Sequence, residues 1–112
     1  MAESPRPRRG DVWWVAFDPS VGGEIQKTRP AIILSNNAAN AALNRVQVVP
    51  ITSQTSRLYP AEAYVTLNGE RRTAMADQIA TASKVRLRGL LGRLAADDMV
   101  AVEHAVRLQL GL

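Results

Sequence analysis

Two short runs of polar residues are placed where they could do chemistry. Glu24, Lys27, Thr28 and Arg29 come just before an apolar stretch at residues 31–34, and Thr52, Ser53 and Gln54 come just after one that ends at Ile51. If both stretches are strands, the two runs lie at strand ends and could converge on one face. Scattered apart, the same residues would be ordinary solvated loop and turn positions. Converged, they would suit an anion: a planar arginine fork matches phosphate oxygens, and hydroxyls beside it supply further donors. Other chemistries find little support. The only histidine, His104, falls on the polar side of a segment of helical period, with no cysteine or second histidine to make a dyad or a metal site. Asp97 and Asp98 are adjacent and would point about 100° apart on a helix, while Asp11 and Asp18 flank a strand as turn residues do. No metal site is expected from such a set, and no cofactor. Gly22-Gly23 lacks the lysine and hydroxyl that complete a phosphate-binding P-loop, and no dinucleotide fingerprint occurs.

Composition agrees with an anionic partner without specifying one. The chain has 112 residues, a formal net charge of +4, and 14 basic residues of which 12 are arginine. Such a surface attracts polyanions, and guanidinium grips phosphate better than ammonium does. The length fits one domain with a real core. There is no cysteine, so disulfide staples and thiolate metal sites are excluded and a reducing, cytoplasmic setting is the default. No apolar run is long enough to span a bilayer, and the first ten residues lack the apolar core of a signal peptide, so no membrane association is expected. Residues 1–10 read as a flexible basic arm and residues 11–112 as a single domain.

The elements that would position the polar runs are mostly strands. Residues 12–17 are aromatic and β-branched and close on Asp18-Pro19, a turn signal; residues 20–28, with Gly22 and Gly23, form a loop. Residues 31–34 read as a strand buried on both faces, and Asn40 and Asn44 bracket an alanine-rich connection. Val46, Val48, Val49 and Ile51 form a strand whose Pro50 suggests an edge position or a bulge. Asn68-Gly69 is a strong hairpin signal between strands at residues 64–67 and 73–76. After a last strand at residues 90–94, the period becomes helical from Ala96, with Met99, Val102, Val106 and Leu110 on one face and Gly111 as the stop. Val100 and Leu108 fall outside that stripe, which implies either a wide buried face or contact with a second subunit. Several strands and one C-terminal helix predict a mainly β (α+β) fold: a small, strongly bent antiparallel sheet or barrel.

Read in order, the blocks are Arg9-Gly10-Asp11-Val12-Trp13, Phe17-Asp18-Pro19, Gly22-Gly23-Glu24, Thr28-Arg29-Pro30-Ala31-Ile32-Ile33-Leu34-Ser35-Asn36, Val49-Pro50-Ile51-Thr52-Ser53 and Ala76-Asp77-Gln78-Ile79, with Gly92-Arg93-Leu94 before the helix. This series resembles the MazF/PemK family of toxin endoribonucleases from type II toxin–antitoxin systems, and the resemblance runs from Arg9 to the C-terminal helix. It implies an SH3-like barrel, a homodimer, sequence-specific cleavage of single-stranded RNA, and inhibition by a cognate acidic antitoxin. By position, the family's essential arginine falls on Arg29, its essential threonine on Thr52 and its loop glutamate on Glu24. Lys27, Thr28, Ser53, Gln54, Asp77 and Gln78 are the RNA-binding candidates that go with them. The chain departs from the family in the loop, where Gly23 stands for a frequent serine and Ile25 interrupts a polar stretch.

On that resemblance the reaction is metal-independent and leaves a 2′,3′-cyclic phosphate and a 5′-hydroxyl. Arg29 would stabilise the phosphorane charge and Thr52 donate to the same phosphate. A guanidinium holds its proton too tightly for good acid or base work, so the base stays open, with Glu24 as the candidate. Two rival readings differ in kind: a gyrase-poisoning toxin that binds a protein, as the related CcdB family does, and a non-catalytic RNA-binding barrel. Arg29-Pro30 and Thr52 favour the nuclease over the first. Only five aromatic residues are available as stacking platforms for the second.

Overall fold

A computed structural model describes residues 6–17 and 27–112. Seven strands, two short 3-10 turns and two helices follow one another as β1 (Asp11–Ala16), β2 (Thr28–Ile33), α1 (Asn37–Ala42), β3 (Arg45–Thr52), β4 (Glu62–Leu67), β5 (Glu70–Met75), β6 (Ala80–Ser83), β7 (Leu87–Arg93) and α2 (Ala96–Leu110), with 3-10 turns at Ala76–Gln78 and Lys84–Arg86. All pairings are antiparallel, in the order β4-β5-β3-β2-β1-β7, and β6 pairs with β3. The sheet curls into a half-barrel. No ladder joins β4 to β7, but the β4–β5 hairpin leans on β7: Asn68 Nδ2 donates to the Leu91 carbonyl at 3.1 Å. Gly92 makes that approach possible, since a Cβ there would stand 2.8 Å from a Leu67 methyl. The hairpin turn is as expected, with Asn68 and Gly69 both at positive φ (51° and 83°), the conformation of a two-residue type I′ turn.

Strand β3 is central to the sheet, so of the two expectations for Pro50 the edge position is corrected, while the other, an irregularity in the pairing, agrees with what is found. On one side β3 pairs β6 from Arg45 to Val48 and then β5 from Ile51; on the other it pairs β2 from Val48 to Pro50. Between the Val48–Ala80 and Ile51–Ala74 pairs, β3 advances through Val49 and Pro50 while its neighbour runs through the five residues from Met75 to Ile79. The turn at Ala76–Gln78 is this excess, looped out of the sheet. Pro50 has no N–H to offer, and it sits in the interval where that side of β3 has no ladder partner.

Burial on both faces of β2 holds: Ala31, Ile32 and Ile33 are fully buried. Ile32 faces a core with Val12, Val49, Ile51, Val65 and Leu67. Ala31 and Ile33 face a second one with Val15, Val46, Val48 and Leu87. Helix α2 closes the first core through Met99, Val102, Ala105 and Val106. Its buried stripe ends there, because Leu110 is half exposed, as are Val100 and Leu108; the wide buried face is therefore not within this chain. Gly111 at φ 72° ends the helix as expected. Two elements were not foreseen. The alanine-rich connection contains α1, capped by the Asn36 side chain on the Ala39 N–H (2.8 Å), and small residues hide β6.

Of the segment expected to be a basic arm, residues 1–5 lie outside the described residues. Residues 6–10 are tied down: Arg9 N donates to Asn37 Oδ1 (2.8 Å) and Gly10 N to the Ile33 carbonyl (2.9 Å). The anchor is Asp11, whose buried carboxylate accepts from the Arg8 N–H (2.9 Å), the Trp13 indole (3.2 Å) and Arg93 Nε (3.0 Å). Removing it orphans three donors, though Arg93 is largely exposed and can rehydrate. Asp11→Ala should therefore lower stability by about 1–3 kcal/mol, and Arg93→Ala by less, in urea unfolding monitored by circular dichroism. An Asp11→Ala midpoint equal to the parent's would show that the carboxylate does not hold the arm and β7 together.

Candidate active site

The two polar runs meet where β2 and β3 part. The last pair of their ladder is Ala31 with Pro50. Arg29 lies two residues before Ala31 and Thr52 two after Pro50, so strand alternation puts both on the face that this pair defines, on either side of the widening gap. β2 stays bound there to β1, with Arg29 opposite Val15, while β3 turns away to β5, with Thr52 opposite Thr73. Arg29 is exposed, and its guanidinium has no hydrogen-bond or ion-pair partner among the described residues. Thr52 is half buried and its Oγ1 accepts from the Gln54 N–H at 3.2 Å. That bond uses a lone pair and leaves the hydroxyl proton free to donate.

Thr52 and Gln54 line a groove of about 560 Å³ with Arg57, Tyr59, Glu62 and Thr73. Thr73 Oγ1 is buried without a hydrogen-bond partner among the described residues, in the groove that Thr52 also lines. Arg57 lies over the Tyr59 ring, 5.7 Å from its centroid, and Glu62 Oε1 accepts from the Tyr59 N–H (2.9 Å). The loop is further held by Tyr64, which donates to the Thr55 carbonyl (2.9 Å). Ser53 is exposed at the mouth of this loop.

The remaining candidates divide. Thr28 and Lys27 are exposed beside Arg29, and the Lys27 carbonyl accepts from the Phe17 N–H (3.0 Å). Asp77 and Gln78 are exposed on the looped-out turn. Gln78 Nε2 contacts Met75 Sδ of the Thr52 groove, and Asp77 lines a smaller hollow with Tyr59 and Glu62. Glu24 lies outside the described residues. His104 is exposed on α2, and the described residues contain no cluster of metal-ligating side chains. Arg57, Tyr59, Glu62 and Thr73 were not singled out from sequence. Tyr59-Pro60 in a polar loop was a usable signal for an exposed aromatic, but nothing local marked Thr73.

Comparison with known proteins gives a consistent result. The model of the PemK-like, MazF-like toxins of type II toxin–antitoxin systems matches residues 8–110. The chain is 35% identical over 114 residues to endoribonuclease MazF9 of Mycobacterium tuberculosis, covering 94% of this chain and 97% of that protein. It is 35% identical over 109 residues to the endoribonuclease toxin MazF of Escherichia coli, covering 94% and 95%. Its fold is similar to the crystal structure of MazF from Deinococcus radiodurans, with a TM-score of 0.80 at 28% identity over 96% of this chain and 99% of that one. A mycobacterial endoribonuclease in complex with its cognate antitoxin superposes with a TM-score of 0.78 at 29% identity over 95% and 96%. With a half-barrel of this kind, a family match over nearly its whole length and relatives this similar, the chain belongs to the PemK-like, MazF-like toxins of type II toxin–antitoxin systems.

Proposed function

We propose that this toxin is a sequence-specific endoribonuclease that cuts single-stranded RNA without a metal ion, with Arg29 and Thr52 as the groups that act on the scissile phosphate. The observation that carries this reading is the Arg29 guanidinium, without a partner among the described residues, set across the β2–β3 gap from a threonine whose hydroxyl proton is not used in its bond to Gln54. Attack by the ribose 2′-oxygen on the adjacent phosphorus builds negative charge on the non-bridging oxygens. A planar fork and a hydroxyl donor stabilise that charge without moving a proton. The 5′-oxygen then leaves, taking a proton from solvent water, and the products are a 2′,3′-cyclic phosphate and a 5′-hydroxyl. Glu24 is the candidate to take the 2′-proton, and Lys27, Thr28, Ser53, Gln54, Asp77 and Gln78 rim the path of the strand.

The relatives seen with cognate antitoxins suggest the same control here: an acidic segment occupies the RNA groove, since a surface that accepts phosphates accepts aligned carboxylates. Exposed Leu108, Leu110 and Leu112 at the end of α2, beside a groove lined by Leu34 and Ile79, supply an apolar face for a second copy of the chain. No helix of the described residues is long and apolar enough to cross a membrane.

Digestion of a long mixed-sequence RNA by the purified protein, with the fragment ends mapped, tests the function. Recurrent cuts at one short motif with 5′-hydroxyl ends are expected. Cleavage should persist in EDTA; loss in chelator with rescue by Mg²⁺ or Mn²⁺ would overturn the metal-free reading. Arg29→Lys keeps the charge but loses the fork, and should lower the cleavage rate on the order of 10²–10³ while binding to an uncleavable RNA changes little. Thr52→Val should give a smaller, clear loss. Near-parental rates for both folded variants would remove these residues from the chemistry. His104→Ala should retain nearly full activity, and a thousand-fold fall would reassign the proton transfer.

A further inference from the structure

Away from the β2–β3 gap, the docked arm builds a second basic site. Residues Arg6 to Arg8, the α1 residues Asn37 and Asn40, and Lys84 enclose a cavity of about 410 Å³ that no carboxylate lines. Three cationic side chains meet there, and none has an ion-pair or side-chain hydrogen-bond partner among the described residues. Arg9 differs: its guanidinium is taken up by Glu103 and the Leu34 carbonyl. Asp11, the acid nearest in sequence among the described residues, is spent on the Arg8 backbone, Trp13 and Arg93. Like charges converging without a counterion cost free energy, unless a ligand supplies one. The arm is held in place by backbone hydrogen bonds of Arg8, Arg9 and Gly10, so the cations are presented on a fixed frame.

The positive charge does not stop at the cavity. Lys84 opens the turn Lys84–Arg86, and Arg86 Nη1 reaches the Ala16 carbonyl at 3.1 Å. Ala16 pairs with Thr28, the neighbour of Arg29. The turn bearing Lys84 is thereby tied to the stretch of β1 that pairs the Arg29 end of β2. A small anion would need only one of the cavity's cations; an extended polyanion would engage Arg6, Arg8 and Lys84 together. A protein segment would want apolar anchors, and the cavity offers only Pro7 and Ala41.

We propose that Arg6, Arg8 and Lys84 form an exosite for the phosphodiester backbone of the RNA, binding the strand beyond the nucleotides held at Arg29 and Thr52. This rests on the endoribonuclease reading and adds to it a reason to prefer long substrates. The exosite reads no bases. It adds affinity through phosphate neutralisation, so its contribution falls with salt.

The test compares the parent with the combined variant Arg6→Gln, Arg8→Gln, Lys84→Gln, on a short RNA carrying the mapped cleavage motif and on the same motif within a strand of about 20 nucleotides. Binding is measured with fully 2′-O-methylated versions, which lack the attacking hydroxyl, across a salt series. The variant should cleave the short RNA at the parental rate. It should bind the long strand roughly tenfold more weakly at low salt, with a salt slope smaller by about 2 from three lost phosphate contacts. The charge-preserving Arg6→Lys, Arg8→Lys variant should keep the parental slope, which excludes misfolding as the cause. An unchanged slope on the long strand, or equal weakening on short and long strands, would overturn the exosite. Weakened binding of an acidic antitoxin peptide with RNA binding unaltered would also overturn it, in favour of a protein-docking role. If neither protein cleaves the short RNA, the nuclease reading fails, and the binding series still decides whether the cavity holds an RNA backbone.

Discussion

The change of partner along β3 is the constraint on which the site depends. A strand that pairs β6 up to Val48 and β5 from Ile51 on the same side must turn at the handover, which falls at Val49 and Pro50, where β2 is still its partner on the other side. Two things follow. The gap between β2 and β3 opens one residue pair beyond Ala31 and Pro50, exposing Arg29 without breaking the strand that holds it. The neighbouring chain has three residues to spare, and these become the turn bearing Asp77 and Gln78. The candidate site is thus a by-product of how the sheet closes on itself, with its principal side chains on strands rather than on loops, where placement is tighter.

Asp11 does for the other end of the molecule what β3 does for the site. A buried carboxylate with three donors from three parts of the chain fixes the arm, the start of β1 and the end of β7 relative to one another. Buried acids are tolerated where their oxygens are satisfied, and here the partners are two neutral donors and one exposed guanidinium. The arm's outward guanidinium groups owe their orientation to this one inward-facing group.

Much of this was legible in the sequence, for reasons that can be given residue by residue. Asn68-Gly69 specifies its turn through local backbone preference, and Ala31 to Ile33 announce burial on both faces because no polar residue interrupts them. The strand bearing Arg29 and the one bearing Thr52 could be read from their apolar runs and from the family resemblance of the blocks around them. What local pattern could not supply was partnership. Pro50 fitted an edge or a bulge because proline removes a donor, and only the pairing on either side shows that it sits at an interruption of the ladder and not at an edge. Thr73 looked like any strand threonine until β5 placed it opposite Thr52. Leu110 matched the helical period yet lies past the end of the core it would have joined.

Helix α2 also settles which sheet edge is open. Strand β4 has a neighbour on one side only, and a bare edge offers backbone groups to any passing extended chain. Here the Asp98 carboxylate accepts the Thr66 N–H at 2.8 Å, so a side chain from the helix occupies a hydrogen-bonding position that an added strand would need. At that position the edge is not open to strand addition. A partner peptide that extended the sheet from β4 would first have to displace this carboxylate.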